Sequence, residues 1–364
     1  MKRPVRYAVV GLGHIAQAAV LPAFKHAATN SVLTAIVSDD AKKRREIARK
    51  YGLEHTYVYK EYDRCLEEVD AVYIALPNSM HEEYTVRAAS AGVHVLCEKP
   101  LAVNVGECRN MIKACRDKNV RLMVAYRLHF EQINLEVMDL VRRGRIGRSR
   151  YFNSSFSMKV RAGNIRTKAD MGGGTLYDIG IYCINAARYL FRREPREVQA
   201  ISVNSGAVRV SEIDETTGAL LRFEDDCVAA FVSSFNAADV ATYVIVGDKG
   251  QIRVDNAYEY AEGLKYELTV DGKKTKKVIA KRDQFGPELL YFSDCILRGR
   301  QPEPSGEEGM QDVRIISALY ESAKTGRAVK VPAFSDRKPR LAQQIRKPGI
   351  KKPVLVNAVS ANVE

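Results

Sequence analysis

The 364-residue sequence contains no CxxC pair, no HExxH run and no apolar stretch near the roughly 18 residues that a membrane span requires. Its seven cysteines (Cys65, Cys97, Cys108, Cys115, Cys183, Cys227 and Cys295) are odd in number and scattered. That pattern excludes a disulfide frame and a zinc site and fits reduced thiols in the cytoplasm. The six histidines show no metal-binding spacing either. The start, MKRPVRYAVVGLG, passes from basic residues straight into a short apolar strand, without a cleavage region of small residues. It therefore reads as mature protein rather than signal peptide.

A basic, aromatic-interleaved stripe of the kind single-strand binders use is also missing. The formal charge of +13 is partly local, because residues 336–364 carry seven Lys/Arg against two acids, or +5. The remaining +8 is spread over 335 residues. An electropositive basin for a phosphorylated cofactor accounts for it, and no nucleic-acid partner is expected.

A chain of this length suggests two domains. Apolar runs at 5–10, 32–37, 71–76, 94–97 and 121–125, with a weaker one at 56–59, alternate with helical stretches at 16–27, 41–51, 79–91 and 105–117. Short apolar runs bounded by Gly and Asn suit strands buried on both faces of a parallel sheet. Six of them interleaved with helices predict an α/β, doubly wound domain over 1–126. Beyond Tyr126 a helix at 131–143 is followed by alternating segments at 150–160, 219–223, 227–236 and 243–246. Turn signals at 225–226, 247–250 and 271–273 flank them, which predicts a mainly antiparallel sheet in an α+β domain over 127–335. A helix at 175–191 interrupts that region and must cover something. Residues 336–364, rich in Pro, Lys and Arg, read as an extended basic arm.

The first chemical motif is Gly11-Leu12-Gly13-His14-Ile15-Ala16, directly after a strand and before a helix. Gly11 permits a tight turn, Gly13 lets backbone approach a pyrophosphate, and Ala16 lets the helix pack closely on the strand. The helix start then offers N–H groups and a partial positive charge to the phosphates, and His14 and Ile15 are expected to border the dinucleotide there. The second strand ends at Ser38, followed by Asp39, Asp40 and the cations Lys42, Lys43, Arg44 and Arg45. Ser38 can donate to a ribose 2′-phosphate and Lys43 can pair with its charge, which favours NADP over NAD. Two alternatives stay open at this point: the cations are the solvated start of a helix, or Asp39 reaches a ribose hydroxyl.

Leu76-Pro77-Asn78, with His81 nearby, and Glu98-Lys99-Pro100 follow the carboxyl ends of later strands, where open α/β sheets bind ligands. Leu76, Pro77, Asn78, His81, Glu98 and Lys99 are accordingly expected around the cofactor. Glu98 would keep Lys99 charged, and Lys99 could polarise a substrate hydroxyl. The third cluster is Gly172-Gly173-Gly174-Thr175-Leu176-Tyr177-Asp178-Ile179-Gly180-Ile181-Tyr182. Asp178 and Tyr182 are four apart and share a helix face, as an acid/base pair would. A glycine loop and a packed tyrosine is the plainer alternative.

Together these residues resemble the glucose–fructose oxidoreductase, inositol dehydrogenase and rhizopine-catabolism (Gfo/Idh/MocA) superfamily over roughly residues 5–332. The combination of GLGHIA, EKP and GGGTLYDIGIY carries the resemblance. Many members read Asp-x-x-x-His in the last motif. The tyrosine here, followed by CINAARYLF, together with Tyr126-Arg127, is most similar to the glucose–fructose oxidoreductase branch. The resemblance implies catalytic Lys99, Asp178 and Tyr182. Tyr182 would exchange a proton with a sugar as hydride moves to or from nicotinamide C4, and a nearby Lys99 ammonium would assist it. Lys99, Asp178, Tyr182 and Arg166 are implied substrate contacts, and Arg127 a cofactor contact. The family's C-terminal sheet implies a homodimer or homotetramer. Periplasmic members of the branch carry an export signal and an N-terminal arm, whereas this sequence carries a basic arm at its C-terminus.

The expectation is an NADP-dependent aldose or ketose oxidoreductase, with cofactor retained and recycled by a second sugar. The alternatives are a dehydrogenase that exchanges its NAD(P) at each turnover, and a non-catalytic sugar or dinucleotide sensor on the same fold. Intact Lys99, Asp178 and Tyr182 argue against the sensor.

Overall fold

Strand β1 (Val5–Val10) buries every residue but Arg6, as a central strand covered on both faces must. It lies between β2 (Ser31–Val37) and β4 (Ala71–Ile74) in a six-stranded sheet. The outer strands are β3 (His55–Tyr57), β5 (His94–Glu98) and β6 (Leu122–Ala125), in the order β3-β2-β1-β4-β5-β6. Every pairing is parallel. This is the doubly wound order, with its switch point between β1 and β4. Helices α1 (Leu21–Ala27), α2 (Ala41–Tyr51), α3 (Tyr62–Leu66), α4 (His81–Ser90) and α5 (Val105–Asp117) fill the connections.

The computed structural model describes residues 3–207, 210–224, 227–332, 334 and 347–362. The turn expected at 225–226 and most of the first half of the expected arm lie outside the described residues. The chain divides into two units. The first comprises Met1–Phe130, Asp283–Met310 and Ile345–Ser360, and the second Glu131–Arg282, Gln311–Gln344 and Ala361–Glu364.

Two features of the first unit depart from the sequence reading. The helix expected over 16–27 opens as a π-helical turn, Ala16–Val20, before α1. Pro22, in the first turn of α1, has no N–H with which to continue an i→i−4 ladder, so the backbone spacing changes there.

The second departure is a helix to which the sequence reading gave no element. In the second unit, α6 (Gln132–Arg142) and α7 (Ile181–Phe191) precede it along the chain; α8 (Phe285–Leu297) belongs to the first unit. Ser293 of α8 hydrogen-bonds the Tyr7 hydroxyl at 2.8 Å and the Ser31 hydroxyl at 2.7 Å, and Asn30 donates to the Leu290 carbonyl at 2.9 Å. The segment FGPELLYFSDCIL is apolar nearly all round, so it lacks the polar stripe that reveals a surface helix. The long α9 (Gly306–Thr325) was equally unassigned.

The second unit is built on nine strands: β7 (Ser149–Lys159), β8 (Pro195–Val203), β9 (Thr216–Phe223), β10 (Val228–Ser234), β11 (Asn236–Gly247), β12 (Gly250–Asp255), β13 (Leu264–Val270), β14 (Lys273–Ile279) and β15 (Val329–Lys330). Their order is β14-β13-β12-β11-β7-β10-β9-β8-β15. All pairs are antiparallel except β7 with β10, so the sheet is mixed but mainly antiparallel. Alternation along β9 and β10 buries Ala219, Leu221, Ala229 and Phe231 and turns Leu220, Val228 and Val232 outward. α7 and the π-helical turn ahead of it, Leu176–Gly180, pack on this sheet.

Candidate active site

The first unit carries the glycine loop. Gly11 has φ +91°, and a Cβ there would sit 2.6 Å from the Ala75 carbonyl oxygen, so only glycine fits. At Gly13 a Cβ would meet nothing within 4 Å; the space above the turn is open, as a bound pyrophosphate needs. Ala16 is fully buried where the helix meets the sheet. Gln17, almost completely buried, donates to the Leu12 carbonyl at 2.9 Å and so stiffens the loop. These features fit a dinucleotide.

At the end of β2, Ser38 is buried and its hydroxyl accepts from the Asp40 N–H at 3.3 Å. Asp39 accepts from the Tyr59 N–H at 2.9 Å, which engages one of its oxygens with the protein. Asp40 caps α2 by accepting from the Lys43 N–H at 3.0 Å, and its carboxyl is held below its ordinary pKa mainly by that bond and by Asn357. The Lys43 ammonium lies 4.0 Å from Asp40, and the Arg44 guanidinium donates to the Ser38 carbonyl. Lys43 and Arg44 are thus turned toward the strand end, while Lys42 and Arg45 are exposed.

Leu76, Pro77 and Asn78 follow β4, and the expected helix start there is a 3-10 turn, Asn78–Met80. His81 has no exposed surface; its Nδ1 faces the Pro100 carbonyl at 2.9 Å and its Nε2 the Leu76 carbonyl at 3.1 Å. Burial lowers its pKa, although the carbonyls oppose that. His81 therefore sits between the Leu76 loop and the Lys99–Pro100 turn, a cis peptide, and its neutral ring donates its single N–H to one of the two carbonyls.

Glu98 accepts from the Tyr73 hydroxyl at 2.8 Å and from the Lys99 N–H at 3.3 Å. Burial raises its pKa against the opposing pull of Lys99, Tyr73 and Arg127. Arg127 is itself buried, with its guanidinium donating to Gln284 at 2.7 Å. Glu288 of α8, which the sequence reading missed, is fully buried in the same neighbourhood, and burial and Glu98 push its pKa well up. Arg127, just after β6, thus links Gln284 to the electrostatic surroundings of Glu98 at the end of β5.

In the second unit the glycines of the third motif are packed tightly. A Cβ on Gly173 would meet the Lys168 carbonyl at 2.7 Å, and one on Gly174 (φ +125°) the Tyr320 hydroxyl at 2.5 Å. Asp214, absent from the sequence reading, anchors the turn by accepting from Thr175, from Thr217 at 2.9 Å and from Tyr320 at 2.9 Å. Asp178 stands on the π-helical turn and accepts from Arg166 Nε at 2.7 Å. That carboxylate is the main reason the Arg166 pKa is raised, with Tyr260 and Tyr182 adding to it. Tyr182 opens α7, is 8% exposed, and lies against Phe156 and Tyr258 with ring centroids 5.8 and 5.9 Å away. Asp178, Tyr182 and Arg166 therefore form one cluster, with the guanidinium paired to the carboxylate and within electrostatic reach of the tyrosine.

Among the described residues no cluster of His, Cys, Asp or Glu is arranged to hold a metal, and no helix is long and apolar enough to cross a membrane. All seven cysteines are buried and free.

Residues 5–126 match the oxidoreductase family with an NAD-binding Rossmann fold, and residues 134–253 match the Gfo/Idh/MocA C-terminal domain. The chain belongs to the Gfo/Idh/MocA oxidoreductase family. It is an NAD(P)-dependent oxidoreductase. Among curated relatives, the D-xylose 1-dehydrogenase [NADP(+)] of Haloarcula marismortui is 28% identical over 90% of this chain and 93% of its own length. Among solved structures, the aldose–aldose oxidoreductase of Caulobacter crescentus superposes with a TM-score of 0.86 at 35% identity, covering 90% of this chain and all of that one. An NADP-bound 3-ketoreductase from Actinomadura kijaniata gives 0.80 at 27% identity, covering 88% of this chain and 98% of its own.

Proposed function

We propose that this NAD(P)-dependent sugar oxidoreductase uses NADP to exchange hydride with an aldose or ketose, with Lys99, Asp178 and Tyr182 as catalytic residues. The observation that carries the reading is the cluster of Asp178 and Tyr182 on one helix start behind a closed glycine turn, with Arg166 reaching Asp178 from the turn Ile165–Thr167. The bound nicotinamide supplies or accepts the hydride at C4. In the oxidative direction the sugar loses hydride from carbon while its hydroxyl proton passes to the phenolate oxygen of Tyr182; in reduction the Tyr182 hydroxyl gives that proton back as hydride returns to carbon. Asp178, pinned by Arg166, accepts hydrogen bonds from sugar hydroxyls and fixes the reacting carbon. Lys99 donates to the reacting oxygen and stabilises the developing alkoxide.

The backbone at Gly11, Gly13, His14 and Ile15 takes the pyrophosphate, and Ser38 with Lys43 takes the 2′-phosphate. Leu76, Pro77, Asn78 and Glu98 border the cofactor, while His81 and Arg127 hold those borders in place. NADP is favoured by the serine at the strand end and by the engagement of Asp39 with the Tyr59 N–H.

The cofactor stays bound between turnovers: a first sugar reduces it and a second sugar carbonyl takes the hydride and a proton. The similarity to an aldose–aldose oxidoreductase supports this. Protein purified without added cofactor is expected to release about one NADP(H) per chain on denaturation. Empty protein that oxidises sugar only with added NADP would refute the shuttle and leave the dehydrogenase.

The outward face of the large sheet supports a homodimer or homotetramer. Tyr151, Ile201, Val203, Leu220, Val228 and Val232 are all exposed there on adjacent strands. Light scattering at micromolar concentration should report an oligomer that Val232→Lys weakens, and a monomeric wild type would overturn the reading.

A further inference from the structure

The C-terminal segment meets the two turns of the first unit that bracket the adenosine half of a dinucleotide. Gln17, on the helix after the glycine loop, pairs with both backbone groups of Val356: its Nε2 donates to the Val356 carbonyl at 2.8 Å, and its Oε1 accepts from the Val356 N–H at 2.7 Å. The same side chain holds the Leu12 carbonyl inside the loop. The next residue, Asn357, donates to both oxygens of Asp40, at 3.1 and 3.4 Å, from a left-handed backbone with φ 46°. Lys50 of α2 lies 3.5 Å from the Val354 carbonyl. One extended stretch of chain is therefore fastened to the first βα turn, where a pyrophosphate sits, and to the second, where the ribose sits.

We infer that Lys351–Asn357 is part of the NADP site, a strap that closes over the adenosine ribose and selects for its 2′-phosphate. This rests on the NADP reading above. The reasoning is electrostatic. Asp40 is a fixed carboxylate two residues from Ser38, and left bare it repels a 2′-phosphate while tolerating a ribose hydroxyl. Asn357 spends both of those oxygens on an amide, which offsets part of their repulsion. Lys351 and Lys352, exposed on the same stretch, add positive charge for a phosphate dianion. The strap therefore acts on NADP more than on NAD, and its fastening to Gln17 slows release of either.

The test is NADPH and NADH affinity of the full chain, freed of cofactor, by nucleotide fluorescence, together with trypsin cleavage after Lys351 followed by mass spectrometry. Asn357→Asp keeps a residue that tolerates φ > 0 but sets a carboxylate against Asp40. It should weaken NADPH about tenfold and NADH about threefold or less, on the scale of one lost charge-assisted hydrogen bond. The paired change Asp40→Asn with Asn357→Asp restores an amide–carboxylate contact and should recover most of the loss. In the wild type, NADP should slow cleavage after Lys351 several-fold more than NAD does. Equal effects of the single variant on both nucleotides, no recovery in the pair, or cleavage indifferent to NADP would each overturn the strap. A wild type with no preference for NADPH would instead overturn the NADP reading itself.

Discussion

Each unit has a glycine-rich turn that opens a helix through a π-helical segment, Ala16–Val20 in one and Leu176–Gly180 in the other. In sequence the two look alike, but the space around them is opposite. Above Gly13 a methyl group would meet nothing, whereas Gly173 and Gly174 are wedged against the Lys168 carbonyl and the Tyr320 hydroxyl. The first turn keeps its backbone available to a ligand. The second spends its glycines on internal packing, and what it presents are side chains, Asp178 and Tyr182, held by Arg166 and by aromatic neighbours. Glycine before a helix thus signals binding in one place and aim in the other. The two uses predict different consequences for mutation.

The largest effect is expected where the second turn aims its chemistry. Tyr182→Phe removes one hydroxyl and keeps the ring that packs on Phe156 and Tyr258. Turnover should fall by about 10²–10⁴, the usual worth of a positioned acid/base, with nucleotide affinity and melting temperature nearly unchanged. Steady-state rates beside a nucleotide titration check this. Near-normal rates would move the proton transfer to another group and reduce the second turn to packing.

How far the comparison was legible in sequence depends on the range of the forces involved. The six parallel strands could be read because a strand such as Val5–Val10, buried on both faces, writes a short apolar run. Helix α8 could not, since a helix apolar nearly all round leaves no stripe, and β14, reading KKTKKVI, carries no alternation at all and is held by its register with β13. The proposed site residues sit in short motifs, which a sequence shows directly. What those motifs missed is long-range. Asp214 reaches Thr175 from 39 residues away, His81 is turned inward by the carbonyl of Pro100, and the strap at Val356 meets Gln17 across 339 residues. The segment KKPVLVNAV gives no period from which that contact could be inferred.

The next effect separates the turns by stability. Gly174→Ala would force a side chain into a left-handed conformation and into the Tyr320 hydroxyl that Asp214 engages. Strain and overpacking together should cost about 2–4 kcal/mol. Thermal melting should show the loss, and activity should fall with it as Asp178 and Tyr182 lose their aim.

Gly13→Ala sharpens the contrast with the smallest expected change. Gly13 does not have the positive φ that penalises a side chain, and its Cβ would meet no protein atom within 4 Å. Stability should therefore stay within about 0.5 kcal/mol of the wild type, as for a substitution that disturbs no contact. The methyl group would instead occupy the space that the pyrophosphate uses, and nucleotide affinity should drop roughly tenfold, about 1.4 kcal/mol. Because the pyrophosphate is common to both cofactors, NADPH and NADH should weaken in equal proportion. That sets this variant apart from Asn357→Asp, which is expected to discriminate between them. Melting curves alongside the two titrations decide the matter. A destabilised Gly13→Ala protein would mean that the first turn, like the second, is closed by packing, and the distinction between a binding glycine and an aiming one would fail.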